Sequence, residues 1–97
     1  MKIQWTSKGS SGLVRLYDHL KPVAPEAAAR VIQQLVRAPS RLLDFPRLGE
    51  RLDAYEPREI RRLIVGNYEM RYEIAADTIL ILRLWHCREN RSFEPEN

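Results

Sequence analysis

The first half of the chain opens with a short alternation and continues with helical periodicity. Ile3 and Trp5 alternate with polar neighbours, which predicts a short strand over residues 2–6. Thr6 or Ser7 can then cap a helix, because a hydroxyl oxygen accepts a hydrogen bond from the first free backbone N–H groups. The apolar face of this helix repeats every three or four residues and consists of Leu13, Leu16, Tyr17 and Leu20.

A second helix follows after a short turn at residues 21–24. Pro25 suits its first position, and Glu26 suits the positive end of its dipole. Its apolar stripe consists of Ala28, Val31, Ile32, Leu35 and Val36. Pro39 interrupts the helix, and a last helical turn can follow it before a polar loop over residues 46–57. Because the connecting turn is short, the two helices are predicted to form an antiparallel hairpin.

The second half of the chain predicts three antiparallel strands, over roughly residues 58–65, 68–75 and 79–86. Gly66-Asn67 is a two-residue hairpin signal between the first and the second. The third strand is apolar at nearly every position, as in a strand covered on both faces. We therefore predict one α+β domain over residues 1–97. Its elements are an N-terminal strand that joins the sheet at an edge, an antiparallel helical hairpin and a three-stranded antiparallel meander.

The predicted pairing aligns arginines on the sheet face away from the helices. With Gly66-Asn67 as the loop, Arg62 lies opposite Arg71, an unfavourable pairing of like charges. A three-residue loop at residues 76–78 sets Arg83 beside Arg71, whereas a two-residue loop turns Arg83 toward the helices, where burying a charge is costly. We therefore predict the three-residue loop. It directs Leu80, Leu82 and Leu84 to the core and Ile81 to the arginine face, which Ile60 and Ile64 of the first strand share.

The arginine row has two explanations that the sequence leaves open. The first is local neutralisation by neighbouring carboxylates, for which the candidates are Glu59, Glu69 and Glu73. The second is that the row receives an acidic or phosphate-bearing partner, since arginine forms bidentate hydrogen bonds with both groups. Mixed apolar and arginine surface is also typical of protein interfaces.

Charge and composition narrow the classes of function. Thirteen of the sixteen basic residues are arginine, and the net charge is +3. Residues 1–50 carry eight basic and four acidic side chains, whereas residues 51–97 carry eight and nine, which argues against a simple nucleic-acid binder. No apolar run reaches the ~18 residues of a membrane span, and the N-terminus has no apolar signal core. We therefore expect a cytoplasmic protein without membrane contact.

The candidate chemistry lies at the end of the third strand, where Arg83, Trp85, His86, Arg88 and Arg91 cluster in sequence. His86 can act as an acid or a base, although a structural histidine at a strand end is the commoner case. Cys87 is the only cysteine, so an internal disulfide is excluded. The two histidines and Cys87 lack the spacing of a zinc site, and no glycine loop for phosphates is present. We therefore predict no metal and no cofactor.

The order of elements resembles the RelE/ParE toxins of bacterial toxin–antitoxin pairs over nearly the whole chain. The most specific segments are REIRRLIVGNYEMRYEI, which is similar to the strand pair of that family, and ILRLWHCREN, which is similar to the ending of its ParE-type members. FPRLGERL resembles the loop that follows the second helix of the family. The resemblance implies neutralisation by a cognate, ParD-like antitoxin in a hetero-oligomer.

The family divides into RelE-type members, which cleave mRNA on the ribosome, and ParE-type members, which poison DNA gyrase without cleaving RNA. Phe93 stands where RelE-type members carry a tyrosine, and phenylalanine cannot transfer a proton. The loop GERLDAYEPRE also lacks lysine and is acidic, unlike its equivalent in ribosome-binding members. We therefore predict a ParE-like gyrase inhibitor that acts by binding, with no catalytic residue and no direct contact with nucleic acid. The alternative is a RelE-like mRNA endonuclease.

Two groups of residues are assigned on this basis. The residues predicted for toxicity or partner binding are Arg62, Arg71, Arg83, Trp85, His86, Arg88, Arg91 and Phe93. The residues predicted to meet the amphipathic helix of the antitoxin are Leu13, Leu16, Tyr17, Ile32 and Leu35.

Overall fold

The computed structural model describes residues 1–89, in which three helices cover one face of a five-stranded sheet. The helices are α1 (Ser7–Leu20), α2 (Pro25–Arg37) and α3 (Ser40–Asp44). The strands are β1 (Lys2–Trp5), β2 (Glu50–Arg51), β3 (Glu59–Val65), β4 (Tyr68–Ala75) and β5 (Thr78–His86). They lie in the order β1-β5-β4-β3-β2, with β1 parallel to β5 and the other pairs antiparallel. This arrangement confirms the predicted α+β class and the place of the N-terminal strand at a sheet edge.

Helix α1 begins where its sequence provides a cap. The Thr6 hydroxyl accepts a hydrogen bond from the Gly9 amide at 3.0 Å and donates one to the Ile81 carbonyl at 2.9 Å. Gly9 and Gly12, which weaken the helix as a local sequence, are both buried. A Cβ atom on Gly9 would lie 2.3 Å from the Ile81 carbonyl oxygen, and one on Gly12 would lie 3.1 Å from the Leu84 Cβ. The two glycines therefore allow α1 to approach the backbone of β5.

Replacing Thr6 by alanine removes both hydrogen bonds of this cap. We expect the free energy of unfolding to fall by about 1–2 kcal/mol, because the Gly9 N–H loses its acceptor. Urea denaturation followed by circular dichroism measures the change. Thr6→Ser keeps the hydroxyl and should retain most of the stability, whereas equal losses in the two variants would contradict the capping role.

The core lies between the helices and the sheet. Leu16 of α1, Leu35 of α2 and Leu42 of α3 are 3%, 0% and 0% exposed. They pack against residues of the central strands, namely Leu63, Val65, Tyr68, Met70, Tyr72, Ile79, Ile81 and Leu84. The predicted stripe of α2 is correct except at its end, because Val36 lies on the solvent side and is 51% exposed. Pro39 separates α2 from the short α3, whose Leu42 closes the core.

The β3–β4 hairpin has the predicted register, and Arg62 pairs with Arg71. Gly66 adopts a φ of +61° in the connecting turn, a left-handed conformation that glycine adopts without strain. The predicted three-residue loop between β4 and β5 is wrong. Ala75 pairs with Thr78, so the turn contains only two residues.

A β-bulge in β5 restores the register that the shorter turn would have lost. Tyr72 pairs with Ile81 but Arg71 pairs with Arg83, so Leu82 is an extra residue in β5. The bulge turns Arg83 away from the helices. This orientation was predicted, but the bulge that produces it was not. Between the shorter turn and the bulge, two residues face opposite to the prediction. Ile81 is fully buried in the core rather than on the arginine face, and Leu80 pairs with Glu73 on that face rather than facing the core.

The segment predicted as a polar loop contains structure that covers part of the arginine face. Glu50 and Arg51 form the short edge strand β2 beside β3, and a 3₁₀ turn follows at Asp53–Tyr55. The Leu52 amide donates a hydrogen bond to the Ile60 carbonyl at 2.9 Å. Ile60 lies on the arginine face but is 0% exposed, whereas Ile64 on the same face is 52% exposed. Only part of this face is therefore open to a partner.

Candidate functional site

The predicted arginine row exists, but its central member is enclosed. Arg62, Arg71 and Arg83 lie on adjacent positions of β3, β4 and β5. The Arg71 side chain is 12% exposed, and its guanidinium lies 5.1 Å from the centre of the Trp85 ring and 6.0 Å from that of Tyr55. Stacking on two aromatic rings stabilises a cation and shields it from water. Arg71 is therefore a structural residue of the sheet.

Glu69 and Glu50 neutralise the row from both sides. The Arg71 Nε donates to the Glu69 carboxylate at 2.8 Å, and the Glu69 side chain is only 2% exposed. The Arg62 guanidinium lies 2.7 Å from the Glu50 carboxylate and 3.9 Å from that of Glu69. These contacts support the neutralisation explanation for Arg62 and Arg71. Glu69 is a correctly predicted partner, whereas Glu50 was missed because its strand was taken for a loop.

The other two predicted carboxylates neutralise different arginines. Glu73 accepts two hydrogen bonds from Arg58, at 3.1 and 2.7 Å. Glu59 faces the helix side of the sheet and lies 2.9 Å from both Arg61 and Arg47. Burial opposes the ionisation of Glu59, but the hydrogen bonds from Arg61 and Arg47 outweigh it and lower the pKa of this carboxyl group. The sheet therefore satisfies most of its arginines internally.

His86 and Arg88 do not share a surface with Arg83 and Trp85. Trp85 pairs with Glu69 on the arginine face, whereas His86 pairs with Tyr68 on the helix side. The predicted cluster is thus divided by the sheet, because consecutive strand residues point to opposite faces. His86 and Arg88 line a cleft of about 590 Å³ beside the second half of α1. The other residues lining it are Arg15, Leu16, His19, Leu20, Tyr68 and Glu89.

Hydrogen bonds within this cleft fix the imidazole of His86. Its Nδ1 accepts a hydrogen bond from the Arg88 amide at 3.1 Å, and its ring lies edge-on to Tyr68 with 5.2 Å between the ring centres. Glu89 accepts from the His86 amide at 2.7 Å and from Arg15 at 2.6 Å. Because its lone pair already accepts the hydrogen bond from the Arg88 amide, Nδ1 is not free to take a proton from a substrate.

Tyr68 is equally unsuited to remove a proton. It is 8% exposed, and burial raises the pKa of its hydroxyl group, to which the nearby negative charge of Glu89 adds. A general base needs a pKa near the working pH, and this shift moves Tyr68 away from it. The cleft thus contains polar groups that anchor the end of β5, without a matched acid and base among the described residues.

Two of the predicted site residues lie outside the described part of the chain, and two others are buried in the core. Arg91 and Phe93 are outside the described residues. Of the five residues predicted to bind an antitoxin, Leu16 and Leu35 are core residues that are 3% and 0% exposed, so they offer little surface to a partner. The periodicity identified the buried face of each helix, which the prediction confused with an exposed groove. The remaining three are partly exposed, namely Leu13, Tyr17 and Ile32.

Sequence reasoning missed a groove between α2, α3 and the end of β3. Its volume is about 780 Å³, and it is lined by Arg30, Arg37 and Arg41, by Gln33 and Gln34, and by small and apolar side chains. The net charge of each half of the chain does not reveal this clustering. The spacing of Arg30 and Arg37 on α2 was the signal that could have found it, since residues seven apart share a helix face. Arg41 lies on the next helix, α3, and only the fold brings it to the same groove.

Within residues 1–89, no helix combines the length and apolar character needed to cross a membrane. In the same range, no three side chains of histidine, cysteine, aspartate or glutamate come together in a way that would hold a metal ion.

Comparison with known proteins identifies the family. The model of the ParE toxin of the type II toxin-antitoxin system parDE matches residues 3–91. A curated relative from Caulobacter vibrioides, Toxin RelE2, is 29% identical over 86 residues, which are 89% of this chain and 94% of the relative. A solved structure, the chromosomal ParDE TA system from P. aeruginosa, superposes with a TM-score of 0.75 at 25% identity, covering 89% of this chain and 95% of that one. The chain therefore belongs to the ParE toxin family of type II toxin–antitoxin systems, within the ParE/RelE superfamily.

Proposed function

We propose that this toxin inhibits DNA gyrase by binding it, and that a cognate ParD-like antitoxin neutralises the toxin in a hetero-oligomeric complex in the cytoplasm. The observation that carries the proposal is the state of His86. Its Nδ1 is engaged by the Arg88 amide, and the neighbouring Tyr68 has a raised pKa. Binding tolerates this arrangement, whereas RNA cleavage through the 2′-hydroxyl requires a base, an acid and a charge stabiliser.

The arginine row supports the same proposal. A cleaving enzyme needs free cations to stabilise the developing charge on phosphate. Arg71 already interacts with Glu69 and two aromatic rings, and Arg62 already interacts with Glu50. The match to the ParE family model and the likeness to a ParDE structure are consistent with a gyrase target.

A second candidate function is ribosome-dependent mRNA cleavage. The name of the Caulobacter relative, Toxin RelE2, favours it, as does the presence of His86, Tyr68 and Arg88 in one cleft. In this case a substrate would have to displace the Arg88 amide from Nδ1 before His86 could accept a proton.

One experiment separates the two functions. The purified chain is added to gyrase with relaxed plasmid, and in parallel to a cell-free translation reaction whose mRNA is mapped by primer extension. We expect loss of supercoiling and no new mRNA ends. Translation-dependent cuts without an effect on gyrase would overturn the gyrase proposal in favour of the endonuclease.

Replacing His86 by alanine gives an independent test. We expect the toxin concentration that halves supercoiling to rise by less than about tenfold, because single interface side chains usually contribute modestly to binding. A residue acting as a general acid or base would instead cost about 10²–10⁴-fold in rate. His19→Ala is the matched control, since His19 lines the same cleft from α1. Abolished toxicity in folded His86→Ala, with His19→Ala unaffected, would favour catalysis.

A further inference from the structure

The groove between α2, α3 and the end of β3 presents polar and cationic side chains to solvent. The exposed residues of its lining are Arg30, Gln33, Gln34, Arg37, Ser40 and Arg41. Its apolar lining residues are half-buried or buried, and Ala38 and Val65 are only 6% and 7% exposed. A partner that approaches the groove therefore meets hydrogen-bond donors and positive charge before it meets apolar surface.

The positive charge of this groove is not neutralised within the described part of the chain. Within residues 1–89, Arg30, Arg37 and Arg41 form no ion pair. The two helices carry one carboxylate each, Glu26 and Asp44, and neither lines the groove. Three like charges on one surface repel one another and do not stabilise the fold. Their charge is available to an anionic partner.

We propose that this groove binds duplex DNA, with its three arginines on phosphates and with Gln33 and Gln34 directed to the base edges of the major groove. The inference goes beyond the proposed gyrase target and does not rest on it, because it concerns free duplex DNA. It departs from the expectation of no direct contact with nucleic acid, which the net charge of each half of the chain suggested. Phosphates respond to local charge, and that of the groove is wholly positive.

The spacing of the arginines along α2 matches a DNA strand. Arg30 and Arg37 are seven residues apart, which corresponds to two helical turns or about 10.5 Å. Successive phosphates of one strand advance ~3.4 Å along the duplex axis, so about three such steps separate these two positions. Gln33 and Gln34 lie between them on the same helix face, three and four residues after Arg30. Arg41 of α3 extends the cationic row beyond the end of α2.

The lining favours a nucleic acid over an acidic protein segment. Protein interfaces are anchored by large side chains such as tryptophan and tyrosine, together with arginine. Among residues 1–89, no aromatic, leucine or methionine side chain lines the groove. Glutamine, serine and arginine are instead side chains that donate hydrogen bonds to the phosphates and sugars of DNA.

The same lining favours duplex DNA over other nucleic acids. Single strands are bound by stacking their bases on aromatic rings, which this groove does not provide among the described residues. The amide of glutamine matches the donor and acceptor of adenine in the major groove of B-DNA, which is about 12 Å wide. The major groove of duplex RNA is too narrow for side chains to read, so Gln33 and Gln34 would not reach its bases.

The test measures binding of the full chain to a short, fluorescein-labelled DNA duplex by fluorescence anisotropy. With about three phosphates neutralised, the Kd should rise roughly 40-fold between ~50 and ~200 mM salt. The triple variant Arg30→Gln, Arg37→Gln, Arg41→Gln should bind at least about tenfold more weakly at low salt and lose most of this salt dependence.

The matched control removes the same charge from exposed positions outside the groove, by Lys2→Gln, Lys8→Gln and Lys21→Gln. Its Kd should stay within about threefold of that of the original chain, because only the general field of the protein changes. Circular dichroism verifies that both variants are folded. Equal DNA binding by the original chain and the folded arginine variant would overturn the proposal, as would no measurable binding by the original chain at low salt.

Two further probes test the other classes of occupant, namely an RNA duplex of the same sequence and poly-L-glutamate. The original chain should bind the DNA duplex more tightly than either of them. Tighter binding of the RNA duplex or of poly-L-glutamate would assign the groove to that class of partner and would contradict the DNA assignment. Because the assay contains no gyrase, its failure would leave the proposed gyrase target standing.

Discussion

Replacing Glu69 by alanine should lower the free energy of unfolding by about 3–5 kcal/mol, because it leaves the enclosed guanidinium of Arg71 without its carboxylate. The Glu69 side chain is 2% exposed and that of Arg71 12%, so water cannot readily take the place of the lost contact. The Trp85 and Tyr55 rings on either side restrict its access further. For a domain of this size, such a loss is a large part of the whole stability. Urea denaturation of the two proteins at neutral pH measures the difference.

Two companion variants identify the cause of that loss. Glu50→Ala removes a carboxylate that is 61% exposed, and it should change stability by no more than about 1 kcal/mol. The double variant Glu69→Leu, Arg71→Met removes both charges and should recover much of the stability lost by Glu69→Ala. A double variant no more stable than Glu69→Ala would show that packing, and not the unpaired charge, is responsible. Toxicity lost in variants of Arg71 should therefore be read together with their stability.

Replacing Gly9 by alanine should destabilise the protein by about 2–3 kcal/mol, although the same change inside an exposed helix stabilises by up to ~1 kcal/mol. The new methyl group would lie 2.3 Å from the Ile81 carbonyl oxygen, which belongs to the backbone of β5. That oxygen also accepts hydrogen bonds from Thr6, so it cannot move without loosening the cap of α1. The helix must therefore shift away from the sheet.

Thermal unfolding gives the measurement, with an expected fall in Tm of roughly 10–20 °C at about 4–8 °C per kcal/mol. Ser10→Ala is the control, because Ser10 is an exposed neighbour on the same helix and should change stability by less than about 0.5 kcal/mol. Gly12→Ala should fall between the two, since its methyl group would lie 3.1 Å from a side-chain atom of Leu84. An increase in Tm for Gly9→Ala would refute the close approach of α1 to β5.

The elements with strong periodicity were predictable from the sequence. The second strand of the meander was predicted at residues 68–75 and lies at Tyr68–Ala75, because its apolar positions alternate cleanly. Strand β2 was missed since Glu50 and Arg51 carry no hydrophobic pattern, and only their pairing with β3 makes them a strand. The bulge at Leu82 was also not predictable from the local sequence. A bulge is a property of two strands together, and no local pattern distinguishes its extra residue from its neighbours.

Individual residues of the candidate site were predictable from the sequence, but which of them share a surface was not. Strand alternation alone separates Trp85 from His86, and applying it would have divided the predicted cluster correctly. The burial of Ile60 and Arg71 depends on the segment around Tyr55, which reaches them from another part of the chain. Arg30, Arg37 and Arg41 lie on two different helices, so only the fold brings them to one groove.

The parallel pairing of β1 with β5 has a consequence for how the toxin is made. It joins residues 2–5 to residues 78–81. Strand β1 leaves the ribosome first and cannot pair until β5, the last strand, has also been synthesised. The helices emerge before this edge of the sheet can close. The arginines of α2 are therefore accessible in the nascent chain before the complete toxin exists. The helical hairpin therefore stays exposed until β5 has left the ribosome and closes that edge of the sheet.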